Sequence, residues 1–349
     1  RHGRKGEAEV VIGGASGLAG RPRQEALPEG VTVPALPLLF SPLSSPLPLG
    51  EDERLAPSGP KGIEFVRTLD LERDRYLLDH RLDGKPVLPF AFAMELMAEV
   101  AAASQPSLEV VEVRQQRLLK GIVVEGEQPI CVRAKPRASD KNGASGVCVD
   151  VAIHSLGAAV RAHYRALVEL TPAIEATAAP PAVRLPARLK RMPLTVREAY
   201  EQWLFHGPLF QRILSVEGFE PVGTRATLLP SSPAGCLTGF GGGGWLFDPI
   251  LVDAAFQMQV IWARHHWDVT LLPSSVLSYR RFARMGDMDG PIRHEMVIRP
   301  ESRPPTCRAD HYFYDANGRL LMSIADVEGT GARALNRLAQ AEPTAVAQR

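Results

Sequence analysis

Two long segments are apolar nearly all the way round: PFAFAMELMAEVAAA at 89–103 and DPILVDAAFQMQVIWARHH at 248–266. An amphipathic helix can rest on a surface, but a helix that is apolar on every side must be enclosed. Each segment is embedded in strand-like sequence. Around the first, strands are predicted near 109–119, 129–136, 147–154 and 159–170, with Val147, Val149, Val151 and Ile153 sharing one face. Around the second they are predicted near 211–219, 223–229, 275–283, 292–299, 306–314 and 319–327, with a tight turn at Ala316–Gly318. One enclosed helix followed by a run of antiparallel strands implies a sheet curved around that helix. Two such halves side by side make an α+β body.

The 349 residues are long enough for both halves. Residues 1–60 are expected to be a linker or the tail of a preceding domain. EVVIGG (9–14) reads as one strand, and the five prolines of PALPLLFSPLSSPLPLG (34–50) suit a connector crossing a surface. The first folded unit spans 61–170, a Pro/Ala-rich linker 171–190, the second unit 191–332 and a tail 333–349. The opening RHGRKGEAEVVIGG, without Met or an apolar leader, reads as a cut end of a larger polypeptide.

Charge argues against a nucleic-acid surface, because 40 Lys and Arg stand against 39 Asp and Glu. The apolar runs are interrupted by Glu95, Glu99 and Asp253 and fall short of the roughly 20 residues a membrane span requires. Cys131, Cys148, Cys236 and Cys307 are far apart, form no CxxC pair, and suit a reducing, cytoplasmic setting. Adjacent His265 and His266 point to different helix faces, so no metal site is expected there. GFGGGG (239–244) matches neither dinucleotide nor phosphate loops and reads as a flexible cover or connection.

His80 opens the candidate chemistry. In DHRLDGKPVLP (79–89) it is followed by Gly84, which permits backbone conformations that a side chain forbids, and by Pro89, placed where a helix begins. An imidazole beside the positive end of a helix can take a proton while the free N–H groups hold an oxyanion. The competing reading is a structural histidine. Asp253 and Gln257 lie four apart and share a face of the second helix, whose start is marked by Asp248 as cap and Pro249 as first helical residue. A carboxyl among apolar residues is costly unless it is paired or has a task, and burial favours its acid form. The competing reading is an inert Asp bonded to Gln257. His206-Gly207-Pro208 before Phe210 reads as a turn, and Pro273–Ser274 as a loop able to line a cavity.

Together these segments resemble the dehydratase domains of polyketide synthases. His80-x-x-x-Gly84-x-x-x-x-Pro89 is similar to the family's HxxxGxxxxP motif and Asp253-x-x-x-Gln257 to its DxxxQ/H motif about 170 residues later. HGPLF (206–210) resembles YGPxF, with His206 where many members have Tyr, and LPSS (272–275) sits where the family has an LPxxW-like segment. YLLDHRLDGKPVLPFAFAMELMAE looks most like the dehydratases of iterative polyunsaturated-fatty-acid and enediyne synthases.

The resemblance implies a double hotdog fold and the elimination of water from a β-hydroxyacyl thioester on an acyl carrier protein. His80 would be the base and Asp253 the acid. Gln257, Gly84, Pro89, His206, Gly207 and Pro273 would bind or orient substrate. Neither a metal nor a cofactor beyond the carrier's phosphopantetheine is implied. The implied partners are the carrier protein, the other domains of the synthase and a second copy in a homodimer. Arg280, Arg281 and Arg284, or Arg117 with Lys120, would offer a basic rim to an acidic carrier. A product-template or cyclase domain, or a catalytically silent module of the same fold, is the alternative reading.

Overall fold

The α1 helix (Phe90–Ser104) is buried over Phe90–Ala102 and the α4 helix (Pro249–Trp267) over Pro249–Ala263, so both helices of the prediction are enclosed. The structure, a computed structural model, describes residues 36–39, 54–57, 62–137, 146–156, 160–176, 185–186, 188–240, 243–285 and 290–340. The expected strand at 9–14 and most of the 34–50 connector lie outside the described residues, as do parts of the 139–146 turn and of the GFGGGG loop.

In chain order, β1 (Arg54–Pro57) and β2 (Ile63–Leu69) lead to a short hairpin, β3 (Arg81–Leu82) and β4 (Lys85–Pro86), and then to α1. After α1 come β5 (Glu109–Leu118), β6 (Gln128–Pro136), β7 (Val147–Ser155) and β8 (Ala162–Thr171). The second half runs α2 (Val196–Gln202), β9 (Ile213–Glu220), β10 (Gly223–Leu228), α3 (Pro233–Cys236) and α4. It ends with β11 (Thr270–Arg281), β12 (Ile292–Ile298), β13 (Thr306–Tyr314) and β14 (Leu320–Ala332).

Twelve strands form one sheet in the order β1-β2-β6-β7-β8-β5-β11-β14-β13-β12-β10-β9. The first six belong to the N-terminal half and the last six to the C-terminal half. Antiparallel β5 and β11 join them, pairing Glu112 with Arg280 and Arg117 with Ser275. The α1 helix packs on β2 and β5–β8, α4 packs on β10–β13, and the two helices touch. Each half is a hotdog, and the whole is the expected double hotdog. Strand alternation explains the enclosure: Val149, Val151 and Ile153 turn inward while Asp150 stays exposed.

Three segments differ from expectation. Leu36, Leu38 and Leu39, expected on a surface linker, are buried. The Leu38 N–H donates to Glu99 (2.8 Å) and its carbonyl accepts from Arg67 (2.9 Å), so Pro37 sits in a turn that docks in the core. Nearby, β1 pairs with β2 inside what was read as linker. At the other end, residues 333–340 form a 3₁₀ segment rather than a loose tail. Leu338 is buried, Asn336 accepts from Thr270, and Arg337 grips Asp83 at 3.0 and 2.6 Å.

Candidate active site

His80 sits between a 3₁₀ turn (Arg75–Asp79) and the β3–β4 hairpin. The hairpin turns on Asp83 and Gly84, with φ of 49° and 76°, the left-handed pair that a two-residue Asp-Gly loop adopts. Gly84 therefore serves the turn. It closes the chain so that the Val87 N–H donates to the His80 carbonyl (3.1 Å) and the Val87 carbonyl reaches the His80 ring. A carbonyl only accepts, so the 3.0 Å contact at Nδ1 places the proton there and leaves the lone pair on Nε2. Burial pushes the His80 pKa down to about 4, against an opposing pull from Asp253, so the ring is neutral at pH 7. Pro89 is the cap residue of α1 rather than its first helical residue, because its ψ of 144° is extended. Its carbonyl accepts the Ala93 N–H.

The segment carrying His206 is fastened to the one carrying His80. The two histidines form an antiparallel bridge, and their ring centroids lie 5.6 Å apart. The Gly207 N–H donates to the Asp79 carbonyl and the Leu209 N–H to the Asp79 carboxylate, both at 2.8 Å. Phe205 stacks on His206 at 4.1 Å, and Phe210 borders both histidines.

Asp253 arrives from α4. Asp248 caps that helix, accepting from the Ile250 and Leu251 N–H groups at 3.1 and 3.0 Å, with Pro249 following as expected. Asp253 Oδ1 lies 3.2 Å from His206 Nε2 and 2.8 Å from Gln257 Nε2. Gln257 is itself held by the Phe210 carbonyl (3.1 Å) and the Tyr200 hydroxyl (2.9 Å). Burial alone would raise the Asp253 pKa. The charge and hydrogen bond of His206, then His80 and Gln257, outweigh burial and hold it below the usual carboxylate value.

The fold thus brings His80, His206 and Asp253 together, all buried, with one nitrogen of each ring and one carboxylate oxygen within 4.8 Å of one another. A cavity of about 310 Å³ reaches this cluster at His206, with Arg81, Gly84, Gly207, Gln211 and Leu338 among its other lining residues; His80 and Asp253 lie outside that lining. Pro273 stands apart. It is a strand residue of β11 opposite Gly329, not part of a loop, because β11 begins at Thr270 and accommodates Pro273 beside a bulge. Arg281 also departs from expectation. It is buried, bonded to the Val110 and Leu246 carbonyls and to Glu109, and cannot serve a surface rim.

Sequence reasoning missed three supporting residues. Glu95 accepts the Leu246 and Phe247 N–H groups at 2.6 and 2.9 Å, tying α1 to the loop that launches α4. Its signal was a charge in an otherwise apolar helix. Asp79, which links the two histidine segments, and Tyr200, which fixes Gln257, carried no signal of their own.

Two family models match the chain. One described as "Polyketide synthase dehydratase domain" matches residues 49–155, and one described as "Polyketide synthase dehydratase N-terminal domain" matches 178–339. A polyunsaturated fatty acid synthase polypeptide of Thraustochytrium sp. (strain ATCC 26185 / S-3) is 29% identical over 224 residues, which is 62% of this chain and 8% of that protein. The chain therefore spans a small part of that relative. Among solved structures, the dehydratase domain from the CurF module of curacin polyketide synthase aligns with a TM-score of 0.63 at 18% identity, over 85% of this chain and 100% of that one. Two structures of inactive CurK dehydratase mutants align with TM-scores of 0.62 at 17% identity, over 85% and 87% of this chain and 98% and 99% of theirs. One replaces a histidine by phenylalanine and the other an aspartate by asparagine. From the two family models, which between them take in both halves of the fold, the chain belongs to the polyketide synthase dehydratase family.

Proposed function

We propose that this chain eliminates water from a β-hydroxyacyl thioester, with His80 as base and Asp253 at the centre of the acid side. The observation that carries this reading is the pairing of a neutral imidazole from one hotdog with a carboxyl from the other, both buried. Nε2 of His80 takes the proton from the carbon next to the thioester carbonyl. The N–H groups at the start of α1, which has no side-chain cap, polarise the carbonyl oxygen. As the double bond forms, the β-carbon–oxygen bond breaks and the oxygen leaves as water on receiving a proton from the Asp253 side. Gln257, braced by Tyr200, orients the carboxyl. The elimination changes no net oxidation state and asks for no redox partner. That one CurK dehydratase is inactive with a histidine replaced and another with an aspartate replaced supports a reaction that needs both residue types.

The partner that fits is an acidic acyl carrier protein. Of the basic residues considered, Arg280 lies near Glu175 (3.8 Å) and Arg284 pairs with Glu109 (2.6 Å). Arg117 instead lines a groove of about 460 Å³ on the outer face of the N-terminal sheet, with Arg133, Lys135, Arg137 and Arg165. Arg137 is paired with Asp150, whereas the side chains of Arg117, Lys135 and Arg165 make no hydrogen bond or ion pair among the described residues.

The test is turnover of a 3-hydroxyacyl pantetheine thioester by the wild type, His80→Ala and Asp253→Asn. Loss of a general acid or base costs about 10²–10⁴-fold. Both variants should fall by that much while keeping the wild-type circular dichroism spectrum. Near-normal turnover in folded variants would reject the assignment.

A further inference from the structure

We propose that His206 and Asp253 work as one acid, in which the imidazole of His206 carries the proton given to the departing hydroxyl and Asp253 is the anion that keeps it there. This rests on the dehydratase reading above.

The geometry leads to it step by step. Asp253 Oδ1 receives Gln257 Nε2–H at 2.8 Å and faces His206 Nε2 at 3.2 Å. A carboxyl oxygen placed between two N–H donors is stabilised as the anion, and an anion has no proton to give. The proton for the hydroxyl must then come from a donor that the anion holds. His206 is that donor, since Gln257 does not ionise. The other nitrogen of His206, Nδ1, is buried without a hydrogen-bond partner among the described residues. An imidazolium here uses Nε2–H on Asp253 and leaves Nδ1–H for the substrate oxygen.

The groups facing His206 come from every neighbouring element. His80 follows the 3₁₀ turn, with ring centroids 5.6 Å apart. Asp253 and Gln257 come from α4, and Tyr200 from α2 is committed to Gln257. The Asp79 carboxylate is engaged by the Leu209 N–H, and the His206 carbonyl by Gln211 Nε2 at 3.2 Å. Asp253 is thus the anion that the imidazolium meets directly.

The step balances. His80 Nε2 gains the α-proton, the electron pair of that C–H bond forms the double bond, and the β-carbon–oxygen bond breaks. The oxygen takes the proton from His206 Nδ1 and leaves as water. His80 ends with one proton more and His206 with one fewer. For the next turnover the extra proton of His80 returns to His206; one nitrogen of each ring and one Asp253 oxygen lie within 4.8 Å of one another, a span one bridging water can cover.

The experiment has two arms. In the first, kcat and KM for the pantetheine substrate are measured against pH for the wild type, His206→Phe and His206→Tyr. The expected result is a wild-type alkaline limb in kcat, a fall of about 10²-fold in His206→Phe with KM within threefold, and an alkaline limb moved upward by at least one pH unit in His206→Tyr. In the second, ¹⁵N NMR of the folded wild type reads the His206 ring directly. An imidazolium at pH 7 that becomes neutral in Asp253→Asn supports the assignment. A neutral ring at pH 7 in the wild type overturns it, as does a His206→Phe variant with unchanged kcat and an unchanged limb. If the wild type fails to dehydrate any thioester, the dehydratase reading falls, and the NMR arm still decides where the proton resides.

Discussion

Replacing Gly207 by alanine should disable the enzyme while leaving it folded. Gly207 has φ −72°, open to any residue, so the effect is steric. An added Cβ would lie 2.5 Å from Oδ1, 2.7 Å from Cγ and 2.8 Å from Cβ of Asp79. Ordinary carbon contacts are about 3.5–4.0 Å, so the two segments must part by about 1 Å. Asp79 cannot swing away freely, because its carboxylate holds the Leu209 N–H and its carbonyl holds the Gly207 N–H. Asp79 adjoins His80 and Gly207 adjoins His206, so the separation opens the site itself. A misplacement of about 1 Å costs about 10²-fold in rate, and overpacking costs about 1–3 kcal/mol of stability. The assay is kcat by mass-spectrometric detection of the enoyl product, with Tm by calorimetry. Gly121→Ala, where an added Cβ meets nothing within 4 Å, is the control and should match the wild type in both. A Gly207→Ala enzyme with kcat within threefold of wild type would refute the reasoning.

Acid should unfold the protein through its buried neutral histidines. Burial holds His80 at about 4 and His294 at about 3, both below the ordinary 6.5. The unfolded chain therefore binds protons below pH 6.5 that the folded chain refuses, and stability falls as pH drops through that window. By pH 5 each histidine lowers stability by about 2 kcal/mol. Denaturant unfolding of His294→Leu should show a pH 7-to-5 loss smaller by that amount, and an unchanged loss would contradict the account. For the partner, Arg117→Glu with Arg165→Glu should raise KM for carrier-bound substrate at least tenfold at low salt, while the pantetheine substrate is turned over within twofold of wild type. Equal effects on both substrates would remove the groove as the docking face.

The two enclosed helices, the strands around them and the cap at Asp248–Pro249 were legible in the sequence, because burial and strand pairing impose periodic patterns on neighbouring residues. His80, Asp253 and Gln257 were legible as oddities, polar groups with no structural reason to sit in apolar surroundings. Their meeting was not, since it depends on β5 pairing with β11 and on α1 touching α4, contacts between segments far apart in the chain. The same holds for Leu36–Leu39, which composition marked as linker and Glu99 draws into the core, and for Arg281, which reads as surface charge until Glu109 and two carbonyls surround it. Pro273 reads as a loop residue until a bulge lets it sit in a strand. Sequence alone determined which residues are capable of the chemistry, because that depends on side-chain type and local spacing. The tertiary structure decided which tautomer His80 adopts, which neighbour His206 faces and what holds Asp253 ionised, because burial and long-range hydrogen bonds set protonation.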